Sequence, residues 1–260
     1  MAARPIWKGV ISFGMVSIPV KLFSATESKD ISFHLIHEEC GSRIKQLRWC
    51  PEHEKEVGWD ELVRGYEYGK GQHVLLTDED FEHLPLASKH TIELSAFVEA
   101  EEIDPVYYEK SYYLDPEEVG VKPYALLMKA LQKKGLTAIA KLAIRNKERL
   151  VALRPADGRI MLETLFYPDE IRAEKPELPD IEVSDREMNM ALSLIDLLAE
   201  SFDPTKYHDE YREALSSMIE AKLQKKEIVE EPEAVATNVT DLMAALRESV
   251  EKAKKQKKAG

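Results

Sequence analysis

Apolar positions recur with period two through most of the first 170 residues. In RPIWKGVISFGMVSIPVKLFSA (4–25), Trp7, Ile11, Phe13 and Met15 share one parity, and Val16, Ile18, Val20 and Leu22 the other. That pattern predicts strand. The parity slip beside Gly14 predicts a bulge or sharp bend, a device that closes sheets into barrels. DISFHLI (30–36) is a further strand candidate, and WDELVRGYEYG (59–69) reads as a short helix stopped near Gly69. QHVLLTDEDFEHL (72–84) reads as a strand followed by a helix capped by Thr77. HTIELSAFV alternates at Ile92, Leu94 and Ala96, and VYYEKSYYLDP is aromatic and β-prone. KPYALLMKALQKKG is a helix with Pro123 at its start and Gly135 just past its end. LTAIAKLAIRNKERLVALRP reads as a hairpin turning at Asn146-Lys147-Glu148-Arg149, and RIMLETLFYP as another strand.

After residue 183 the period changes. Ser184-x-x-Glu187 is a capping box, and Met188, Ala191, Leu192, Ile195, Leu198, Ala199 and Phe202 follow at helical spacing. Asp203-Pro204 ends that helix, and Tyr207, Tyr211, Leu215, Met218 and Leu223 mark a second. The acidic stretch VEEPEAVATN reads as a linker. A third helix carries Leu242, Met243, Leu246 and Val250 on one stripe and runs into Lys252, Lys254, Lys255, Lys257 and Lys258. That stripe suits either docking on its own subunit or laying a helix into a partner's groove. The expected division is a β-rich core over 1–183, a helical arm over 184–228, and linker, helix and basic tail over 229–260.

With 260 residues and 44% hydrophobic content, the chain has ample material for a packed core. Two cysteines make no disulfide framework, no segment approaches the ~20 apolar residues of a membrane span, and no signal-like start is present. The chain therefore reads as cytoplasmic.

A formal charge of -12 argues against indiscriminate binding to nucleic acid over the whole surface. Locally the balance reverses: residues 1–50 carry seven Lys and Arg against four Asp and Glu. Arg43, Lys45 and Arg48 form one basic cluster, Lys141, Arg145, Lys147 and Arg149 a second, and the lysine tail a third. A lone basic hairpin would simply protect a sheet edge. Three clusters together suit phosphate contacts, which need Lys and Arg but no base-reading constellation.

The sharpest chemical motif is HEECGSRIKQLRWCPEH. His37-x-x-Cys40 and Cys50-x-x-His53 are two pairs of soft ligands, suited to a closed structural zinc site, with His34 as a substitute for His37. The alternative is two buried cysteines and two surface histidines. Catalytic zinc would need an open position and a base, and no H-E-x-x-H is present. Phosphate-loop, dinucleotide and nucleophile-elbow motifs are also missing. A zinc-dependent nuclease and a protein-only scaffold are the competing functional classes.

RPIWKGVISFGMVSIPVKLFSAT, FHLIHEECGSRI, GYEYGKGQHVLLTDEDF, RNKERLVALRP and FDPTKYHDEYREAL, in this order, resemble the prokaryotic Ku family. The resemblance implies an α+β, β-rich fold: a Ku-like β-barrel with a zinc-ribbon-like bridge insertion at about 37–59, then a C-terminal helical arm. It further implies a non-enzymatic homodimer whose bridges close a ring around double-stranded DNA ends without sequence preference. Such a protein starts non-homologous end joining and recruits an ATP-dependent DNA ligase through its C-terminal region. One structural Zn2+ per subunit and no nucleotide complete the implied set. Many bacterial members carry Cys-x-x-Cys where this chain has Cys50-x-x-His53.

Overall fold

The computed structural model describes residues 4–84, 87–144, 147–173, 179, 181–224 and 242–259. It divides into two compact units, Met1–Lys175 and Pro176–Gly260.

The first unit is built on a closed seven-stranded barrel. Its strands are β1 (Trp7–Phe13), β2 (Val16–Ser24), β7 (Thr91–Glu99), β8 (Tyr108–Pro116), β9 (Leu136–Ile144), β10 (Lys147–Ala156) and β11 (Arg159–Leu165). They follow one another around the barrel as β1-β2-β8-β11-β10-β9-β7. Antiparallel pairs make all of it except the seam, where β1 runs parallel to β7 with Val10, Ile11 and Ser12 opposite Thr91, Ile92 and Glu93. Between β2 and β7 lie β3 (Trp49–Cys50), β4 (Lys55–Glu56), β5 (Arg64–Gly69), β6 (Gln72–Leu76) and the short α1 (Asp78–Glu82).

Period-two patterning aims one side chain in two into the barrel. Ile11, Ile18, Leu22, Ile92, Leu114, Leu142, Leu153, Ile160 and Leu162 are all fully buried there. The parity slip at Gly14 is a hairpin turn rather than a bulge within one strand. Phe13 pairs with Val16, and Gly14 and Met15 form the two-residue connection. Gly14 has φ +60, the conformation such a turn asks of its first central residue. At the seam the backbones approach so closely that a Cβ on Gly9 would lie 2.4 Å from the His90 carbonyl oxygen and 2.3 Å from the Trp7 ring.

Helix α2 (Val121–Lys134) plugs one end of the barrel. Its Tyr124, Leu127 and Leu131 join the barrel's core, and it ends on Gly135 at φ +69 before β9 begins. The Tyr124 hydroxyl donates to the Leu114 carbonyl at 2.6 Å and accepts from the Ile160 N–H at 2.6 Å. Burial pushes this phenol's pKa up, so it remains a neutral donor. Tyr124→Phe strands both backbone groups in the core. The expected loss is about 1–3 kcal/mol, read by chemical denaturation as a lower midpoint at unchanged slope.

Three segments depart from expectation. The turn expected over Asn146-Lys147-Glu148-Arg149 is displaced, because Lys147, Glu148 and Arg149 already pair with β9 as the start of β10. WDELVRGYEYG holds only a single 3-10 turn at Trp59–Glu61, and Arg64–Gly69 is strand β5, paired with β6. DISFHLI forms no strand. Its only ladder contact among the described residues is one bridge between Ile36 and Arg43.

The second unit contains α3 (Asp185–Leu198), α4 (Glu210–Leu223) and α5 (Leu242–Ala259). Ser184 caps α3: its hydroxyl accepts from the Glu187 N–H, and its own N–H donates to the Glu187 carboxylate at 2.9 Å. The expected stripe on α3 is not its covered side: Met188, Leu192, Ile195 and Leu198 are exposed. Helix α5 packs instead along the neighbouring side, where Val250 and Lys254 share a cleft with Arg186, Asn189, Met190 and Leu197.

Candidate nucleic-acid interface

Residues 25–84 include no buried side chain. This excursion is held together by two small hairpins, β3–β4 and β5–β6, and by turns. It is also rich in large apolar groups. Phe33, Leu35, Trp59, Tyr66 and Leu75 are 68%, 69%, 75%, 66% and 63% exposed. A run of apolar surface this extensive marks an interaction site. It extends well beyond the 37–59 expected for the bridge.

Two of its three candidate cations share one groove. Arg43 and Lys45 line it with Phe33, His34 and Leu35, and Glu56 is the acidic group at its edge. Arg48 stands apart. Its guanidinium stacks 4.4 Å from the Trp59 ring centroid, with Nε buried and without a hydrogen-bond partner. Stacking suits a planar guanidinium and fixes Arg48 within the excursion.

The hairpin cations do not share a face. Lys141 lies on the outside of β9, opposite Glu93 in register, and pairs with Glu148 at 3.5 Å. The Glu148 carboxyl is held below its usual range by the Ser88 hydroxyl, which donates to it at 2.6 Å, with a further contribution from the Lys141 charge. Lys147 and Arg149 have the inward parity of Val151 and Leu153 and line a pocket at the barrel mouth. Lys147 donates to Glu170 at 2.6 Å, and Arg149 is ion-paired with Glu109. Lys147 and the Tyr167 N–H hold the Glu170 carboxyl low. Arg145 lies outside the described residues.

The metal candidates fall into two separate pairs. His37 Nδ1 lies 3.1 Å from Cys40 Sγ, in a turn closed by Gly41 at φ +67. Cys50 Sγ lies 3.4 Å from His53 Nδ1, where β3 turns back into β4. Both thiols are drawn below their usual pKa, Cys40 by hydrogen bonding with Ser42 and Cys50 by its bond with His53. Each pair has the donor types and spacing of half a zinc site. The four do not meet: among the described residues no group of three or more His, Cys, Asp or Glu could hold a metal. His34 lies on the Arg43 groove instead.

Of the stripe on α5, Met243, Leu246 and Val250 are half-buried, and Ala253 beyond them is buried. The side chain of Leu242 lies outside the described residues. Among the described residues no helix is long and apolar enough to cross a membrane.

The family model described as the Ku70/Ku80 beta-barrel domain matches residues 12–190. The chain is 45% identical over 262 residues to the non-homologous end joining protein Ku of Heliobacterium modesticaldum, covering 99% of this chain and 95% of that one. It is 46% identical over 252 residues to the protein of that name from Frankia casuarinae, covering 95% of this chain but only 63% of the longer relative. The Bacillus subtilis protein is 42% identical over 256 residues, with 96% and 82% covered. Barrel, excursion and arm are thus matched in sequence almost end to end, and the chain belongs to the Ku family.

Proposed function

We propose that this chain binds the ends of double-stranded DNA without sequence preference, as a ring-shaped homodimer, and protects them during double-strand break repair by end joining. The observation that carries the reading is the excursion over residues 25–84, which has no buried side chain and exposes many large apolar ones. Apolar surface of this extent, left uncovered in the protomer, suits burial against a partner. A second copy of the same excursion supplies an equally apolar surface and brings Arg43 and Lys45 twice to one duplex. Phosphate contacts then position the protein without reading sequence. The chain acts by holding DNA and is not an enzyme.

A ring loads over an end and stays threaded. Protein bound to linear DNA that is then circularised should therefore resist release by salt, whereas the same protein added to closed circles should not be retained. Rapid release from both would remove the ring, degradation of the DNA would indicate a nuclease, and no salt-sensitive binding at all would leave a protein scaffold.

The finer assignments rest on the same reading. The α5 stripe of Leu242, Met243, Leu246 and Val250 is proposed to recruit the end-joining ATP-dependent DNA ligase. Because part of that stripe is half-buried in a helix packed on α3, the ligase would have to compete with α3 for it. The working compartment is the cytoplasm, at the nucleoid. One structural Zn2+ per subunit is proposed for His37, Cys40, Cys50 and His53, on the strength of the two donor pairs; binding it requires the pairs, which stand apart in this structure, to converge, and no step of end binding passes through it. Metal analysis of the purified protein should find about one zinc per subunit, with Cys50→Ser losing most of it. A metal-free native protein would end the zinc assignment and leave end binding untouched.

A further inference from the structure

The barrel mouth opposite α2 is a second cationic site, built differently from the excursion. β9 leaves α2 at Gly135 and reaches the far end of the barrel at Ile144. There a pocket is lined by Lys110, Lys147 and Arg149, with Ser24, Tyr112 and Ile144 around them. Each stands on the inward parity of its strand: Ser24 follows Leu22, Lys110 and Tyr112 precede Leu114, Ile144 follows Leu142, and Lys147 and Arg149 precede Val151.

We propose that this mouth binds a single phosphate-type anion. Three cations face two carboxylates, Glu109 and Glu170, so the site keeps a net positive charge. The carboxylates also act as a frame. Lys147 spends one ammonium donor on Glu170, and Arg149 spends Nη1 on Glu109, leaving the rest of each donor set for a ligand. Thr164 donates to the same Glu109 at 3.2 Å, which fixes the partner of Arg149. Lys110 has no carboxylate partner among the described residues, and its ammonium lies 5.8 Å from the Tyr112 ring centroid. A guanidinium fork and two point charges suit a tetrahedral oxyanion, and the apolar barrel behind them weakens solvent screening.

The site goes beyond end binding and stands on the barrel's geometry. Its ligand chemistry has two sources: the phosphate at a strand terminus, or a free phosphate group.

The test uses the full chain. Inorganic phosphate at about ten times its dissociation constant should raise the Tm by roughly 3–5 °C over chloride at matched ionic strength. Phosphate also stabilises proteins generally by exclusion from their surface, so the deciding quantity is the difference between variants. Lys110→Ala should lose most of the added rise, and Lys110→Arg should keep it. An equal rise in the native protein and in Lys110→Ala, or none in either, overturns the site. Duplexes with and without a 5′-phosphate then identify the source. Preference for the phosphorylated end in the native protein, abolished by Lys110→Ala, makes it the strand terminus, and equal affinity makes it the free group. Loss of DNA binding altogether would strike the proposed function, while the phosphate arm would still decide the pocket.

Discussion

Phe33→Asp combined with Leu75→Asp is expected to weaken self-association by at least about 100-fold and to abolish retention on circularised DNA. These side chains are 68% and 63% exposed within the protomer. They therefore contribute little to folding, and substitutions at such positions change stability by about 0.5 kcal/mol or less. The protomer should still unfold in one cooperative transition, with its Tm lowered only by the lost contribution of dimerisation and no longer dependent on protein concentration. At a subunit interface the arithmetic differs. Large apolar anchors are worth about 2 kcal/mol or more each, and a carboxylate in their place must also be desolvated. Sedimentation velocity separates the outcomes. A cooperatively folded monomer places the dimer interface on the excursion, whereas an unchanged dimer places it elsewhere and removes the main support for the ring.

The barrel was legible because its strands bury one parity and expose the other. Leu136–Ile144 and Lys147–Ala156 pair as their alternation requires, and Gly135 ends α2 in the left-handed conformation that glycine permits. The excursion was harder to read, since with no buried side its residues carry no core-driven period. The strand at Arg64–Gly69 had a signal in Tyr66 and Tyr68, both β-prone, followed by a turn at Lys70-Gly71. Helical spacing of Trp59, Leu62 and Val63 concealed it. The surroundings of the hairpin cations were hidden for a different reason. Counting along the hairpin finds only Glu148, but Glu109 and Glu170 arrive from positions 40 and 23 residues distant. The same alternation that places Leu114 inside the barrel brings Lys110, an exposed cation outside all three sequence clusters, to the pocket at its mouth. Which residue types could hold a metal was plain from spacing. Whether four of them converge depends on the path of a segment with no core to fix it.

The candidate cations are accordingly not equivalent. Arg43→Ala combined with Lys45→Ala is expected to flatten the salt dependence of DNA binding most. Each phosphate contact contributes about 0.9 to the slope of log affinity against log salt, and in a homodimer each substitution removes two contacts. The double variant should lower the slope by up to roughly 3.6 and reduce affinity by about 1,000-fold near 0.1 M salt. The loss should be similar for unrelated duplex sequences, because phosphates carry no base identity. Lys141→Ala is the matched control. With Glu148 at 3.5 Å and Glu93 opposite, Lys141 sits on an outer surface whose local charge is negative. Its removal should change the slope by less than about 0.5. Equal effects of the two variants would mean that phosphates reach the outside of β9. The groove beside Phe33 would then be only one contact among several, and the excursion would lose its place as the principal DNA-facing element.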